Sequence, residues 1–258
     1  MSNVTIIIST LNEGILHLEK TIKLIHPNIR YLIVHQNVEK IGLPSFLQRK
    51  DIEVIETPTK GLSVSRNIGL RNCKTDYGII ADDDVEYIED GITQLLEIIK
   101  TDKPDFATFK IKTPDDEPDF KDYPLAKHDF SKSILQVASI EILLNVKKIR
   151  NKHIAFDERF GLGTKLRQAE EEIFIHDLID YDFYGTYYPL FFVKHPYEST
   201  GSKIIKESHK YFLKGAFAQR TRQKHKIHRY ESLIRFLKNI FWFHIGRFYI
   251  LSTKKTIL

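Results

Sequence analysis

The 258-residue sequence predicts an α/β fold in which a mostly parallel β-sheet is flanked by helices on both faces. Along the first hundred residues, β-branched runs alternate with segments of helical periodicity, as crossover connections between parallel strands require. The predicted strands are apolar with little alternation, which is typical of strands that are buried on both sides. Hydrophobic residues make up 42% of the chain, which is enough to form such a core.

These patterns place the elements in chain order. Apolar, β-branched runs predict strands at residues 4–9, 31–34, 52–55, 77–81, 106–111, 154–157 and 188–193. Apolar residues at helical spacing predict helices at residues 15–25, 63–71, 92–99 and 169–179. Residues 114–124 are predicted to form a polar loop, and a glycine-marked loop is predicted at 160–164.

Charge is distributed unevenly along the chain. Residues 203–258 carry 14 Lys and Arg against 2 Asp and Glu, a net of +12, whereas the remainder carries 25 against 32, a net of −7. A basic extension on an acidic body predicts an anionic partner, which can be nucleic acid, an anionic membrane or a phosphorylated lipid.

The extension also contains a helical pattern at residues 229–243. Helical spacing places Leu233, Phe236, Leu237, Ile240 and Phe243 on one side and Arg235, Lys238 and Asn239 on the other. We expect this helix to lie on an anionic membrane surface or to pack against the rest of the chain.

The sequence also bears on the cellular compartment. The single cysteine, Cys73, excludes an internal disulfide and fits a reducing compartment. The first residues lack the basic segment that precedes the apolar run of a signal peptide. The run 233–251 is interrupted by charge too often to cross a bilayer. We therefore expect a cytoplasmic protein. The basic extension leaves open a peripheral location at the inner face of the membrane.

Three consecutive aspartates, Asp82, Asp83 and Asp84, follow the strand predicted at 77–81. The carboxyl ends of strands border the crevice in which open α/β sheets bind ligands. Like charges at this spacing repel unless protons or a cation neutralise them, and carboxylate oxygens suit Mg²⁺ or Mn²⁺, which also bind substrate phosphates. The cluster therefore predicts a metal–diphosphate site, with an Asp-rich turn that caps the next helix as the alternative.

Further charged side chains stand at the ends of predicted helices. Arg66 is placed to contact diphosphate oxygens, to brace the aspartates or to form a surface ion pair. Glu170, Glu171 and Glu172 lie at the N-terminus of the helix predicted at 169–179, whose dipole stabilises a carboxylate that can act as a general base. Simple helix capping is the alternative for these acids.

Other positions also have two interpretations. Thr10, Asn12 and Glu13 follow the first strand at the same edge of the sheet, where they bind a ligand or cap the next helix. His195 follows an apolar run, where a lone histidine is either a structural residue or a metal ligand.

Five segments occur in the order and approximate spacing of a known family. They are residues 4–13, residues 61–69 (Gly-Leu-Ser-Val-Ser-Arg-Asn-Ile-Gly), the aspartates 82–84, residues 169–174 (Ala-Glu-Glu-Glu-Ile-Phe), and His195 with Ser-Thr-Gly at 199–201. On these motifs the chain resembles the GT-A-fold glycosyltransferases of family two over roughly residues 3–202. These enzymes use nucleotide-sugars and invert the anomeric carbon.

Two departures from the family pattern matter. The family often places an Asp after the second strand to contact the base, whereas this chain has His35, Gln36 and Asn37 there. The acidic pair is Glu-Glu instead of Glu-Asp, which preserves the chemistry because either carboxylate can accept a proton. The base and the sugar of the donor are therefore not determined by the sequence.

The resemblance implies a domain organisation. A GT-A-like catalytic domain with a GT-A-type sheet spans residues 1–202, with a donor-binding half at about 1–112 and an acceptor half at about 113–202. Residues 203–258 then form a basic, partly amphipathic helical extension.

The resemblance also implies roles for single residues. Glu171 is implied as the general base, with Glu170 as the alternative, and Asp84 and His195 as metal ligands, with Asp82 as a further candidate. The implied donor-binding residues are Thr10, Asn12, Glu13, Gln36, Arg66, Asp82 and Asp83.

The function implied by the resemblance is sugar transfer from a nucleoside-diphosphate sugar to a hydroxyl of a glycan or lipid-linked acceptor, with inversion, assisted by Mn²⁺ or Mg²⁺. A nucleotidyltransferase that makes nucleotide-sugars is one alternative, but residues 10–14 lack its glycine-rich basic loop. A non-catalytic protein on a degenerate GT-A fold, binding membrane or nucleic acid, is the other. Nucleic acid is the less favoured partner, and the sequence does not determine the oligomeric state.

Overall fold

The computed structural model describes residues 4–130, 137–197, 206–221 and 233–253. The strands are β1 (Val4–Leu11), β2 (Ile29–Gln36), β3 (Ile52–Thr57), β4 (Tyr77–Ala81), β5 (Glu86–Tyr87), β6 (Phe106–Lys112), β7 (His128–Asp129), β8 (Ile142–Asn145) and β9 (Gly185–Lys194). The α-helices are α1 (Leu62–Asn72), α2 (Glu89–Thr101), α3 (Val146–Asn151), α4 (Glu170–Asp180), α5 (Glu207–Thr221) and α6 (Leu233–Ser252). Short 3₁₀ helices occupy Asn12–His17, Ser45–Leu47 and Ser139–Glu141.

The nine strands of the described residues join one sheet in the order β3-β2-β1-β4-β8-β6-β9-β5, and β7 pairs with β9. Strands β3, β2, β1 and β4 are parallel to one another, and β6 is parallel to β9. Strand β8 runs antiparallel between β4 and β6, and the two-residue strands β5 and β7 pair antiparallel with β9. The predicted α/β class with a mostly parallel sheet is confirmed.

The central strands are covered on both faces. Along β1, Ile6 and Ile8 pack in one hydrophobic cluster, whereas Ile7 packs in a second cluster on the opposite face. Ile79 and Ile80 of β4 divide between the clusters in the same way. Helix α2 covers the first cluster, and α1, α3 and α4 cover the second. This two-sided burial explains why the strand sequences are apolar without alternation.

The helix predicted at 15–25 is wrong. The chain forms the 3₁₀ helix Asn12–His17 and then turns. Ile15, Leu18 and Ile22 are buried as their spacing requires, whereas Ile25 is 75% exposed. A succession of turns satisfies the same spacing as an α-helix, and so the apolar pattern did not separate the two.

The strand predicted at 154–157 is also wrong, although Ile154 and Phe156 are buried. The side-chain amide of Asn67 takes the place of a neighbouring strand. Its oxygen accepts a hydrogen bond from the Phe156 N–H at 2.9 Å, and its nitrogen donates to the Phe156 carbonyl at 3.0 Å. Because these backbone groups are paired by a side chain, the segment is buried without joining the sheet.

Four short elements were not predicted from the sequence. Strands β5 and β7 are two residues long, which is too short to show a period. Strand β8 passes directly into α3, and each element is too short, at four and six residues, to show its period clearly. Residues 114–124 contain no helix or strand, as predicted.

Helices α5 and α6 of the extension pack against each other in antiparallel directions. A Cβ on Gly215 would overlap the backbone of Phe243, and one on Gly246 would overlap the backbone of Phe212. The glycines are therefore required for the close approach of the two helices. A helix with both the length and the apolar content to span a lipid bilayer is absent from the described residues.

The helix pair packs against the body of the protein. A third hydrophobic cluster joins it to the segment before α4 and to α4 itself; its buried members are Phe160, Leu166, Ile173, Phe212, Leu213, Ala216 and Ile250. Arg220 of α5 forms ion pairs with Asp157 and with Asp177 of α4. Packing against the rest of the chain is thus observed for one side of the extension. The domain boundary at residue 202 stays a prediction, because residues 198–205 lie outside the described residues.

The predicted faces of α6 need correction. Asn239, placed on the polar side, is buried, and Leu237, placed on the apolar side, is 55% exposed. The inner face is defined by the contact at Gly246, and helical spacing brings Asn239 and Phe243 to the same side. The side chains of Leu233, Arg235 and Phe236 lie outside the described residues.

We predict that Gly246→Ala lowers the free energy of unfolding by about 1–3 kcal/mol, because the added methyl group overpacks the contact with α5. Urea denaturation followed by circular dichroism measures the change. Gly42→Ala is the matched control, since a Cβ there has no neighbour within 4 Å, and it should change stability by less than about 0.5 kcal/mol. Equal stability of the two variants would contradict the tight α5–α6 contact.

Candidate active site

A cavity of about 400 Å³ lies at the carboxyl ends of β1, β2 and β4, the edge of the sheet at which open α/β folds bind ligands. Most of the residues that the sequence singled out line this one space. They are Thr10, Gln36, Arg66, Asp82, Asp83, Asp84, Glu170, Glu171 and His195. Asn12 and Glu13 are not among the lining residues.

The guanidinium of Arg66 lies fully buried among three carboxylates. Its Nη1 is 2.9 Å from Glu171 Oε1 and 3.4 Å from Glu170 Oε1, and its Nη2 is 3.2 Å from Asp82 Oδ1. Burial alone would lower the pKa of Arg66, but the charges of Glu171, Asp82 and Glu170 outweigh it and raise that pKa. Of the roles considered from the sequence, Arg66 therefore braces the acidic cluster.

The two glutamates at the start of α4 have different surroundings. The side chain of Glu170 is 5% exposed, and burial together with the neighbouring charge of Glu171 raises its pKa. The side chain of Glu171 is 17% exposed and receives the shorter hydrogen bond from Arg66. Burial also raises the pKa of Glu172, which does not line the cavity. Glu171 is thus the more accessible carboxylate of the pair.

The three aspartates point to three different partners. Asp82 pairs with Arg66, and its second oxygen accepts a hydrogen bond from Ser139 Oγ at 3.2 Å. Asp83 accepts a 2.6 Å hydrogen bond from Thr10 Oγ1, and burial raises the pKa of this carboxyl. Asp84 is directed at the segment after β9. Asp84 thus faces His195, Asp82 faces Arg66, and Asp83 is held by Thr10.

His195 is held so that one ring nitrogen faces Asp84. Its Nδ1 is 2.6 Å from the carbonyl oxygen of Pro196, and its Nε2 is 3.4 Å from Asp84 Oδ2. The hydrogen bond with His195 lowers the pKa of Asp84. Burial would lower the pKa of His195, but the hydrogen bond and charge of Asp84 prevail and raise it. A histidine whose Nδ1–H is bonded to a carbonyl has the orientation that metal-binding histidines adopt.

The pair of Asp84 and His195 fits a divalent cation with few protein ligands. The described residues contain no group of three or more His, Cys, Asp or Glu side chains arranged to hold a metal. Mg²⁺ and Mn²⁺ commonly keep several waters and bind one or two carboxylates together with substrate phosphates. The placement of Asp84 and His195 beside the cavity is compatible with this type of site.

The remaining predicted residues organise the rim of the cavity. Gln36 donates from Nε2 to the Gly61 carbonyl at 3.1 Å, and it lines the cavity. Asn12 has a positive φ, and its Oδ1 accepts hydrogen bonds from the backbone N–H groups of Val38 and Glu39. Asn12 thereby shapes the loop after β2 instead of the cavity wall, and the neighbouring Glu13 is exposed.

Sequence reasoning did not identify several residues of the cavity. Ser139, Phe120, Lys60 and Arg167 line it, and each is an isolated residue in a loop or a short 3₁₀ helix without a pattern of its own. The glycine-marked loop predicted at 160–164 was a usable signal for this part of the cavity wall, because Gly161 and Gly163 both adopt the positive φ that favours glycine. This loop is attached to α1: Ser63 Oγ donates to the Phe160 carbonyl at 2.7 Å, and the Leu62 N–H donates to the Leu162 carbonyl at 3.0 Å.

The model of the family described as "Glycosyl transferase family 2" matches residues 5–167, which is more than half of the chain. The chain belongs to glycosyl transferase family 2. The family of this glycosyltransferase is therefore the one that its sequence motifs indicated. Membership in this family argues against the nucleotidyltransferase alternative. No curated protein sequence matches the chain.

The fold of this family 2 glycosyltransferase is shared with solved structures. Residues 1–349 of S. aureus TarS in complex with UDP-GlcNAc match with a TM-score of 0.63 and 15% identity, over 98% of this chain and 76% of that chain. The complex of the same TarS fragment with UDP matches with a TM-score of 0.61 and 15% identity, over 98% and 75% of the two chains. At this identity the likeness shows the fold, and the predicted GT-A type is confirmed.

We predict that Arg66→Ala lowers the free energy of unfolding by about 3 kcal/mol, because it leaves three carboxylates close together around a buried position. Arg71→Ala is the matched control, since Arg71 lies on the same helix and is exposed. It should cost less than about 0.5 kcal/mol. Urea denaturation of both variants measures the difference, and a stability of Arg66→Ala equal to that of the control would contradict the bracing role.

Proposed function

We propose that this glycosyltransferase moves a sugar from a nucleoside-diphosphate sugar to a hydroxyl of a glycan or lipid-linked acceptor, in one displacement that inverts the anomeric carbon. The observation that carries the proposal is the meeting of two kinds of group in one cavity. Asp84 and His195 form a pair suited to a cation, and Glu171 is a carboxylate suited to take a proton.

The donor is proposed to lie across the ends of β1, β2 and β4. Gln36 takes the place of the family's Asp at the end of β2, and we assign it to the nucleotide, with Thr10, Asp82 and Asp83 nearby. Two solved structures with this fold contain UDP or UDP-GlcNAc, which supports a nucleotide-sugar as the donor class. Asn12 and Glu13 are proposed to support donor binding from outside the cavity wall, Asn12 through its hydrogen bonds to the loop around Val38.

Mn²⁺ or Mg²⁺ is the proposed cofactor, held by Asp84 and His195. When bound, the cation stabilises the negative charge that develops on the departing diphosphate. Asp82 is the further candidate ligand of the cation. One oxygen of Asp82 already pairs with Arg66.

Glu171 is the proposed general base. It accepts the proton of the acceptor hydroxyl while the new glycosidic bond forms and the bond to the diphosphate breaks. The hydrogen bond from Arg66 fixes the position of one carboxylate oxygen, and the N-terminus of α4 favours the ionised form. Glu170 is a weaker candidate, because its side chain is nearly enclosed and burial raises its pKa.

A thermal-shift screen of nucleotide-sugars with and without Mn²⁺ tests the proposal. We expect at least one compound from a set containing UDP-GlcNAc, UDP-galactose and GDP-mannose to raise the melting temperature, and Mn²⁺ to enlarge the shift. Release of the nucleoside diphosphate from that compound then reports turnover. Absence of any shift across a complete set would contradict donor binding in this cavity.

We predict that Asp84→Asn abolishes the Mn²⁺-dependent part of the donor-induced thermal shift while the protein stays folded. Removing one charge from a cluster of like charges does not destabilise the fold, but it removes an ionised ligand of the cation. Asp116→Asn, on the exposed loop after β6, is the control and should behave like the wild type. A Mn²⁺ response that survives in Asp84→Asn would move the cation site elsewhere.

We predict that Glu171→Gln keeps donor binding and lowers kcat by roughly a hundredfold or more, as the loss of a general base does. Glu170→Gln is the comparison and should have the smaller effect, because Glu170 is the less accessible of the two. Steady-state release of nucleoside diphosphate measures both. The reverse ranking would assign the base to Glu170, and unchanged kcat in both would leave these residues as helix caps.

A further inference from the structure

Helix α6 carries a row of exposed apolar side chains on the side that faces away from α5. Leu237 is 55%, Phe241 58%, Phe248 68% and Leu251 69% exposed, and Ile245 is exposed as well. We call these five residues the α6 stripe. Their spacing of three or four residues places them in one row, which at 1.5 Å per residue is roughly 21 Å long.

The α6 stripe lies opposite the face by which α6 is attached to the protein. Asn239, Phe243, Gly246 and Ile250 are buried, and their spacing of four, three and four residues defines the inner face. Single exposed apolar residues are common on protein surfaces, but a row of five on one side of a helix, which also includes the exposed His244, marks an interaction surface.

Positive charge borders the α6 stripe. At 100° per residue, Lys238 falls on one side of the row and Arg247 on the other, and both are exposed. Helix α6 has no Asp or Glu, and residues 203–258 together carry 14 Lys and Arg against 2 Asp and Glu. An aromatic and aliphatic row flanked by cations is complementary to a layer of anionic headgroups above acyl chains.

The attachment of α6 connects the α6 stripe to the cavity. Arg159 Nη1 donates hydrogen bonds to the carbonyls of Ile250 at 3.1 Å and Thr253 at 2.9 Å, at the end of α6. Ile250 packs with Leu166, which lies in the segment between the glycine loop and α4. This segment borders the cavity through Arg167, Gln168 and Ala169.

We propose that the α6 stripe docks on the surface of an anionic lipid bilayer, with α6 parallel to the membrane plane. Phe241 and Phe248 then enter the boundary between headgroups and acyl chains, while Lys238 and Arg247 pair with lipid phosphates. The evidence for membrane docking comes from the surface of α6 alone. The use of this docking, which is to bring the cavity to a lipid-linked acceptor, rests on the proposed function.

Flotation of the full chain with vesicles tests the proposal. We expect the wild type to float with vesicles of equal parts phosphatidylcholine and phosphatidylglycerol, and to stay at the bottom with phosphatidylcholine alone. The variant Phe241→Glu/Phe248→Glu should show at least a tenfold smaller floating fraction, because two carboxylates enter the contact. Raising the salt concentration should weaken binding, since the cations are screened.

The matched control is Ile25→Glu/Leu125→Glu, which places the same two charges at apolar side chains that are 75% and 94% exposed outside α6. It should float like the wild type. Thermal unfolding with and without the nucleotide-sugar found in the donor screen checks that each variant is folded and still binds donor. Should Phe241→Glu/Phe248→Glu be destabilised, Lys238→Gln/Arg247→Gln provides the same test through charge, with reduced flotation as the expected result.

Three outcomes would overturn the proposal: a wild type that does not float, a wild type that floats equally with both vesicle types, or stripe variants that float like the wild type. Light scattering after size-exclusion chromatography tests whether a second copy of the chain, instead of a membrane, contacts the α6 stripe. A dimer in the absence of lipid that Phe241→Glu/Phe248→Glu converts to a monomer would assign the α6 stripe to self-association instead. Because donor binding is measured separately, failure of docking does not count against glycosyl transfer.

Discussion

The buried ion cluster around Arg66 is the interaction on which the architecture of the site depends. A guanidinium without solvent contact is stable only if carboxylates compensate for the lost hydration, and three carboxylates at this distance repel unless a cation lies between them. Arg66 and its partners therefore require one another. Asp82 follows β4 and Glu171 lies in the first turn of α4, and so the cluster also ties the end of the sheet to the helix that carries the proposed base.

Helix α1 organises the site through other side chains besides Arg66. Ser63 donates a hydrogen bond to the Phe160 carbonyl, and Asn67 pairs with both backbone groups of Phe156. Together with Arg66, which binds Glu171, three polar side chains of α1 thus hold α4 and the segment that leads to it. Each of them is buried, and each is satisfied by a partner roughly 90 to 105 residues away. The motif at residues 61–69 is consequently a scaffold for the second half of the site as much as a part of its wall.

Helix α4 is held near both ends by arginines, of which Arg66 is fully buried and Arg220 is half-buried. Arg66 binds the glutamates at its first turn, and Arg220 of α5 binds Asp177 near its last turn. Burial would raise the pKa of Asp157, which also binds Arg220, but hydrogen bonds from Arg159 and Arg220 prevail and lower it. The extension thereby supports the helix that carries Glu171, whatever its outer face contacts. This gives α5 a structural reason to accompany the catalytic part of the chain.

The sequence by itself determined the fold class, most of the central strands, the acidic cluster after β4 and the family motifs. These features are local: an apolar run, a helical period or a short motif can be read from adjacent residues. Even in the wrong helix at 15–25, Ile15, Leu18 and Ile22 are buried as predicted, although Ile25 is exposed, because the apolar spacing predicts burial better than it predicts the type of turn.

Only the tertiary structure decided which partner each side chain meets. It left Glu171 more exposed than Glu170 and paired Thr10 with Asp83. It also removed Asn12 from the cavity wall and turned Asn239 inward. Such choices depend on contacts between residues far apart in the chain, on close approaches such as that at Gly246, and on the burial that follows. No periodicity within a single segment contains that information, because the energy that selects these pairings exists only after the elements have packed.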